Sequence, residues 1–303
     1  MTQRPAPLTL VAFALVALIG GSNFVAVRLS NRELDPFFGA GVRFAAAAVL
    51  LFLIVAATKT PLPGGRGLLG SLIFGVMNFF AAYAFVYWGL QRVPAALAGV
   101  VFAMVPLMTL VLAVVQRIEH FRWRAVLGAS IAIAGVVVMA GSPGNADVPL
   151  LYFLAVVISA VGAAEAAVVI KRFPSVHPFA MNAIAMATGA PILLVLSLLS
   201  GERWILPSRP TTWYTLIFLV PIGSVALFVL YVYVVQRWTA SAASYQFVLF
   251  PVVAAIVGSI VADEALDSTV AIGGVLVVAG TYVGALARTR ESEPVEIPVE
   301  PLS

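Results

Sequence analysis

The chain of 303 residues is 62% hydrophobic and 10% charged, where a soluble domain would carry roughly half and a quarter. That composition excludes a soluble globular protein. The net charge of +4 comes from basic residues scattered along the loops, which excludes a nucleic-acid-binding face and leaves no such partner. With no cysteine, disulfides, thiolate metal sites and a cysteine nucleophile are excluded as well.

Apolar runs between short loops predict an all-α polytopic membrane protein with ten transmembrane helices, at residues 8–28, 37–58, 67–89, 94–116, 123–141, 148–171, 178–200, 212–236, 241–262 and 269–288. Each holds about twenty apolar residues, enough for a hydrocarbon core about 30 Å thick. The first run begins like a signal peptide, with Arg4 ahead of Leu8 to Ile19. It is read as a span, because no A-x-A site follows and apolar sequence continues through Val27. Loops are marked by Asp35-Pro36, Pro61 to Gly65, Pro143-Gly144-Asn145, His177-Pro178 and Pro207 to Pro210. Residues 291–303, with Glu291, Glu293, Glu296 and Glu300 among prolines, read as a disordered cytoplasmic tail. With the N-terminus inside, eleven Lys and Arg fall in inner segments and five in outer ones. Both termini are therefore expected in the cytoplasm of a cell with a bacterial-type inner membrane.

Two stretches repeat at an offset of 145 positions: Gln91-Arg92 returns as Gln236-Arg237, Pro106 as Pro251, Glu119 as Glu264, Gly128 as Gly273 and Gly135 as Gly280. The first two helices of each half match at 142, as in Asp35-Pro36-Phe37 against His177-Pro178-Phe179. The halves are taken as residues 1–143 and 144–290. Each has five spans, an odd number, so the second copy enters from the opposite side. Inverted five-helix repeats of this kind support alternating access around a midplane site.

The repeated pattern carries an Ala-rich helix start, a mid-helix Pro, an acid at the helix exit and Gly-x6-Gly in the next helix. With Ser22-Asn23-Phe24-Val25-Ala26-Val27-Arg28 in the opening helix, it resembles the EamA family of the drug/metabolite transporter superfamily over residues 8–288. Within that family it is most similar to the YddG-type exporters of aromatic and other amino acids. The resemblance implies a carrier without a cofactor, embedded in a lipid bilayer and able to work as a monomer. One departure is Thr239, where the first repeat has Pro94.

Several residues are candidates for the substrate pathway. Glu165 lies in a span otherwise made of Ala, Val and Gly; an acid there costs about 2.5–3.5 kcal/mol on insertion scales and needs a cavity or a partner. It is either a substrate or proton ligand, or a partnered structural acid. The 142 shift sets it against Asn23. Asn78, Phe79, Tyr83 and Tyr87 in the third helix, and Tyr231 in the eighth, offer aromatic faces for an apolar side chain or an ammonium. Tyr83 equally fits an interfacial belt. Asn78 and Tyr83 are five apart, which does not make one α-helical stripe. Met104, Tyr245 and Gln246 precede Pro106 and Pro251, and these prolines read as paired hinges or gates, or as kinks that only improve packing. Arg43 could bind a carboxylate, but snorkelling to the outer interface is the favoured reading.

The two histidines, His120 and His177, lie in loops without a second ligand, so no metal is expected. A membrane-embedded enzyme would need converging acids and bases, and the spans offer one acid. The expected function is an inner-membrane carrier that exports amino acids or similar zwitterions, aromatic and other neutral ones favoured. The alternatives are an exporter of another small metabolite or drug, and a scaffold that transports nothing.

Overall fold

A backbone in hydrocarbon has no water to bond, so each apolar run satisfies its own N–H and C=O groups as a helix. The computed structural model describes residues 5–89, 92–93, 95–140, 149–262 and 268–286, and the regular elements among them are helical. In chain order they are α1 (Pro7–Ser30), α2 (Pro36–Ala57), α3 (Gly65–Phe74), a π-helical segment Gly75–Ala82, α4 (Tyr83–Gly89), α5 (Ala95–Ala103), α6 (Val105–Val115) and α7 (Trp123–Ala140). Then come α8 (Leu150–Arg172), α9 (Pro178–Leu199), α10 (Pro210–Leu219), a π-helical segment Pro221–Ala226, α11 (Leu227–Arg237), α12 (Ala240–Ala243), α13 (Gln246–Ala262), α14 (Ser268–Thr281) and a π-helical end, Tyr282–Leu286.

Seven stretches among the described residues are long and apolar enough to cross a membrane: Pro7–Val27, Pro36–Ala57, Gly65–Gly89, Leu150–Arg172, Pro178–Leu199, Pro210–Arg237 and Ala240–Val257. Shorter apolar helices, Val105–Val115, Trp123–Val138 and Ala271–Leu286, stand where the fourth, fifth and tenth spans are predicted. The predicted loop 143–145, the acids Asp263, Glu264 and Asp267, and the tail 291–303 lie outside the described residues.

Helix ends follow local chemistry. Pro opens α1, α2, α9 and α10 at the first position, where a missing N–H costs nothing. Lys59, Arg117 and Gly201 follow α2, α6 and α9 in the left-handed region, at φ 51°, 59° and 70°. In each case the next residue's N–H returns to a carbonyl five positions back: Thr60 to Val55, Ile118 to Ala113 and Glu202 to Ser197. Lys59 and Gly201 are partners at the 142 shift, so the two copies end this helix in the same way.

Two predicted helices are interrupted. The fourth breaks at Met104, between α5 and α6. Pro106 has no N–H to give the carbonyl four residues back, and its ring crowds that turn. The ninth runs unbroken through Pro251 and breaks earlier, at Ser244-Tyr245. The matched prolines therefore do not produce matched breaks.

The third and eighth helices share a different irregularity. Their π-helical segments begin at Gly75 and Pro221, 146 positions apart. Bonding from i to i+5 widens the turn. Asn78 and Tyr83 thus approach a common face that α-helical spacing would deny them.

Two contacts pair equivalent helices of the copies, α2 along α9 and α7 along α14, while α1 lies against α13, which is not its equivalent. At α7 and α14 the backbones touch. A Cβ on Gly128 would lie 2.4 Å from the Gly284 backbone and 2.6 Å from the Gly280 oxygen, and one on Gly135 would lie 2.6 Å from the Gly273 oxygen. Since Gly128 and Gly135 recur as Gly273 and Gly280, each contact has its mate. The Gly280-x3-Gly284 pair serves this packing inside the chain. Leu8, Leu53, Val115, Ile260 and Val275 point outward, as suits a lipid-facing surface.

Candidate functional site

Arg43 lies two turns into α2 and does not snorkel: it is 2% exposed. Its Nε donates to Ser224 Oγ at 2.7 Å and an Nη donates to the Gly223 carbonyl at 2.6 Å. Both partners sit in the π-helical segment after α10, where Val225 N–H reaches back five residues to Val220 O. That slip leaves the Gly223 carbonyl free to accept from Asn23 Nδ2 too, at 2.8 Å. Gly223 is required here, because a Cβ would lie 2.3 Å from Asn23 Oδ1. Three helices, α1, α2 and the α10–α11 span, therefore converge on one carbonyl.

A buried guanidinium normally needs a carboxylate, since desolvating a charge is costly unless it is paired. The ion pairs among the described residues are Glu119–Arg122 and Asp35–Arg203, and Arg43 belongs to neither. It is held by neutral acceptors and by the ring of Phe44, 5.2 Å from its centre.

Beyond Phe44 lies a cluster of rings. Phe44 meets Phe79 edge-on at 5.0 Å and Tyr83 at 4.7 Å, Phe79 meets Phe228 at 4.6 Å, and Tyr83 lies 6.0 Å from Tyr87. Tyr231 approaches Phe247 at 6.3 Å. Phe79 is fully buried, while Tyr83 keeps partial exposure.

Several buried polar atoms in this region have no partner: Asn23 Oδ1, Asn78 Nδ2, Asn182 Oδ1, Tyr231 Oη and Gln246 Oε1. Each such atom costs about 1–3 kcal/mol, and a site that needs polar contacts for a guest is one reason to keep them. Asn182 was not singled out from sequence; its Nδ2 holds the Phe228 carbonyl at 3.0 Å.

The structure does not bring Glu165 to Asn23. Glu165 accepts from Gln116 Nε2 at 3.0 and 2.7 Å, and Arg172 holds Gln116 Oε1 at 3.0 Å. Seven residues separate Glu165 from the end of α8, and seven separate Asn23 from the end of α1. Asn23 instead bonds the Gly223 carbonyl, so the two residues have separate partners. Met104 is exposed at the helix break. Tyr245 is fully buried, with its hydroxyl on the Ala125 carbonyl at 2.6 Å and its ring against Gly284. Pro106 is buried, and the Pro251 ring stands 4.0 Å from where Gly99 would carry a Cβ.

Arg43 left one signal in the sequence. Its partner at the 142 shift is Ala185, so it breaks the repeat as Glu165 does.

Apolar helices with an outward-facing apolar surface, packed around a core of rings and unpaired polar atoms, define a polytopic membrane protein. The profile of the EamA-like transporter family matches the chain twice, over residues 7–141 and 150–285. The chain belongs to that family and is a membrane transporter. In Escherichia coli K12, the "Uncharacterized inner membrane transporter YedA" is 29% identical over 298 residues, 97% of this chain and 95% of that one. The "Probable amino-acid metabolite efflux pump" of the same organism is 26% identical over 280 residues, 89% and 92% of the two chains. A crystal structure of a protein 21% identical matches in fold, with a TM-score of 0.78 over 92% of this chain and 97% of that one.

Proposed function

We propose that the protein is an inner-membrane carrier that exports amino acids with apolar side chains, aromatic ones included, by alternating access. In this reading the chain crosses ten times as two inverted five-helix repeats, with both termini in the cytoplasm. Arg43 carries the reading. A buried guanidinium with no ion-pair partner among the described residues suits a carboxylate guest, which it can bind through two parallel N–H bonds. The rings from Phe44 to Phe228 suit the guest's apolar side chain, and their faces suit its ammonium. Asn23, Asn78, Tyr231 and Gln246 supply the polar contacts that orient it. The similarity to an amino-acid efflux pump supports the same substrate class.

The test is exit of labelled amino acids from proteoliposomes. Phenylalanine or leucine leaves faster than from protein-free vesicles, and Arg43→Ala loses at least about tenfold of that rate, the worth of a charge-assisted bond. If no amino acid in the panel leaves faster, the substrate assignment is wrong.

A further inference from the structure

The start of the ninth span is tied to the first repeat through Thr239, Ser241, Ser244 and Tyr245. Ser241 gives its N–H to Glu119 Oε1 at 3.1 Å and its hydroxyl to Glu119 Oε2, and the same hydroxyl accepts from Arg122. Thr239 caps α12 by accepting from Ala242 N and also accepts from Arg122 at 3.1 Å. Ser244 meets Thr109 at 3.0 Å, and Tyr245 reaches the Ala125 carbonyl. The Glu119 side chain is 7% exposed and that of Arg122 21%, so these bonds are sheltered from water. Alongside, Lys171 at the end of α8 holds the Gln236 carbonyl at the end of α11, 3.1 Å away.

The repeat shows what this cluster does. At the 145 offset, Thr239, Ser241, Ser244 and Tyr245 correspond to Pro94, Ala96, Gly99 and Val100. An inverted repeat reaches its second conformation by letting each half adopt the other's arrangement. The seal formed on the opposite face would then join the same backbone positions without a single side-chain hydroxyl from the first repeat. The two seals differ in strength by sequence alone.

We infer that Glu119, Arg122, Thr239, Ser241, Ser244 and Tyr245 form a one-sided latch that holds the face carrying residues 116–122 shut. The resting protein is therefore biased towards opening on the other face. Calling the latched face cytoplasmic, and the motion alternating access, rests on the proposed function. A cytoplasmic substrate then meets a closed door more often than an external one. The affinity measured from the latched side is lowered by the fraction of molecules that are open there.

The absence of cysteine lets the latch be read without background labelling. Spin labels on Phe121→Cys and Arg237→Cys, both exposed positions outside the latch, report the distance across it in lipid nanodiscs. The unaltered latch gives one short distance. Ser241→Ala and Glu119→Gln each add a longer one and shift the open-to-closed ratio by at least about tenfold, the effect of losing a charge-assisted bond. Ser241→Thr keeps the hydroxyl and keeps the short distance. Ser241→Ala leaves the backbone bond to Glu119 in place, so the fold survives it. An unchanged distribution in both opening variants, or a Ser241→Thr that opens like Ser241→Ala, overturns the latch. The distances need no substrate, so this result stands apart from the exit assay. In vesicles that do transport, Ser241→Ala lowers KM from the latched side more than from the other. A symmetric change would contradict the one-sided assignment.

Discussion

At the scale of single residues, buried and loop acids are read by their partners. Glu33 lies in the loop between α1 and α2. It accepts from the Ser208 hydroxyl and the Thr212 hydroxyl at 2.6 Å each, from Ser208 N–H at 2.6 Å and from Arg209 N–H at 3.3 Å. These bonds, the Ser208 hydroxyl first, hold its carboxyl at about 2 against an ordinary 4.5. They favour the charged form, so their contribution to stability is complete above about pH 4.5 and fades as the pH falls towards 2. Glu33→Ala is accordingly expected to lower Tm at pH 7, and the gap to the unaltered protein to narrow at pH 3. A gap of constant size would show that the carboxylate is not what joins these loops. Neighbouring bonds add to the join, since Glu202 accepts from the N–H groups of Phe37 and Phe38 and Asp35 from that of Arg203. Glu165 shows the limit of reading acids from sequence. Its isolation among Ala and Val is plain, but the Gln116 that satisfies it lies 49 positions away.

At the scale of elements, what the sequence made legible depended on whether the cause was local. Helices α1, α2, α8 and α9 follow their predicted ranges closely, because apolar length and an opening Pro or a closing left-handed residue are local signals. Pro106 reads in the sequence as a hinge or a kink, and the helix breaks beside it at Met104; the matching Pro251 lies inside α13, which continues through it. The π-helical segments have no local signature in the sequence. They are slips of the hydrogen-bond ladder, and the one at Gly223 is fixed by Asn23 and Arg43 from two other helices. This is why α-helical spacing separated Asn78 from Tyr83. The α7–α14 contact was half legible: the glycines were seen to repeat, but not to meet each other. A Cβ on Gly280 would lie 2.5 Å from the Ala132 nitrogen, and backbone cannot yield as a side chain can. Gly280→Leu is therefore expected to abolish monodisperse elution in detergent. Gly64→Leu, where nothing lies within 4 Å of a new Cβ, should elute normally. Equal behaviour of the two variants would refute the close approach.

At the scale of the whole molecule, the chain is a duplication whose copies differ at telling positions. Arg43 against Ala185, Glu165 against Asn23 and Tyr245 against Val100 are the mismatches. The structure gives them separate duties: a polar site shared by α1, α2 and the α10–α11 span, a bonded acid beside Gln116, and an anchor on Ala125. Inversion itself can be read by labelling. Thr58 and Ser200 are exposed C-caps of α2 and α9 and partners at the 142 shift. In sealed cells an impermeant maleimide should label Ser200→Cys directly and Thr58→Cys only after permeabilisation. Labelling of both from one side would contradict the inverted arrangement. A carboxylate guest bound at Arg43 makes a sharp demand on competition in proteoliposomes. Exit of labelled phenylalanine should be inhibited by its deaminated acid, which keeps the carboxylate, far more than by its amide, which keeps only the ammonium. Inhibition by the amide that equals or exceeds that of the acid would contradict the account.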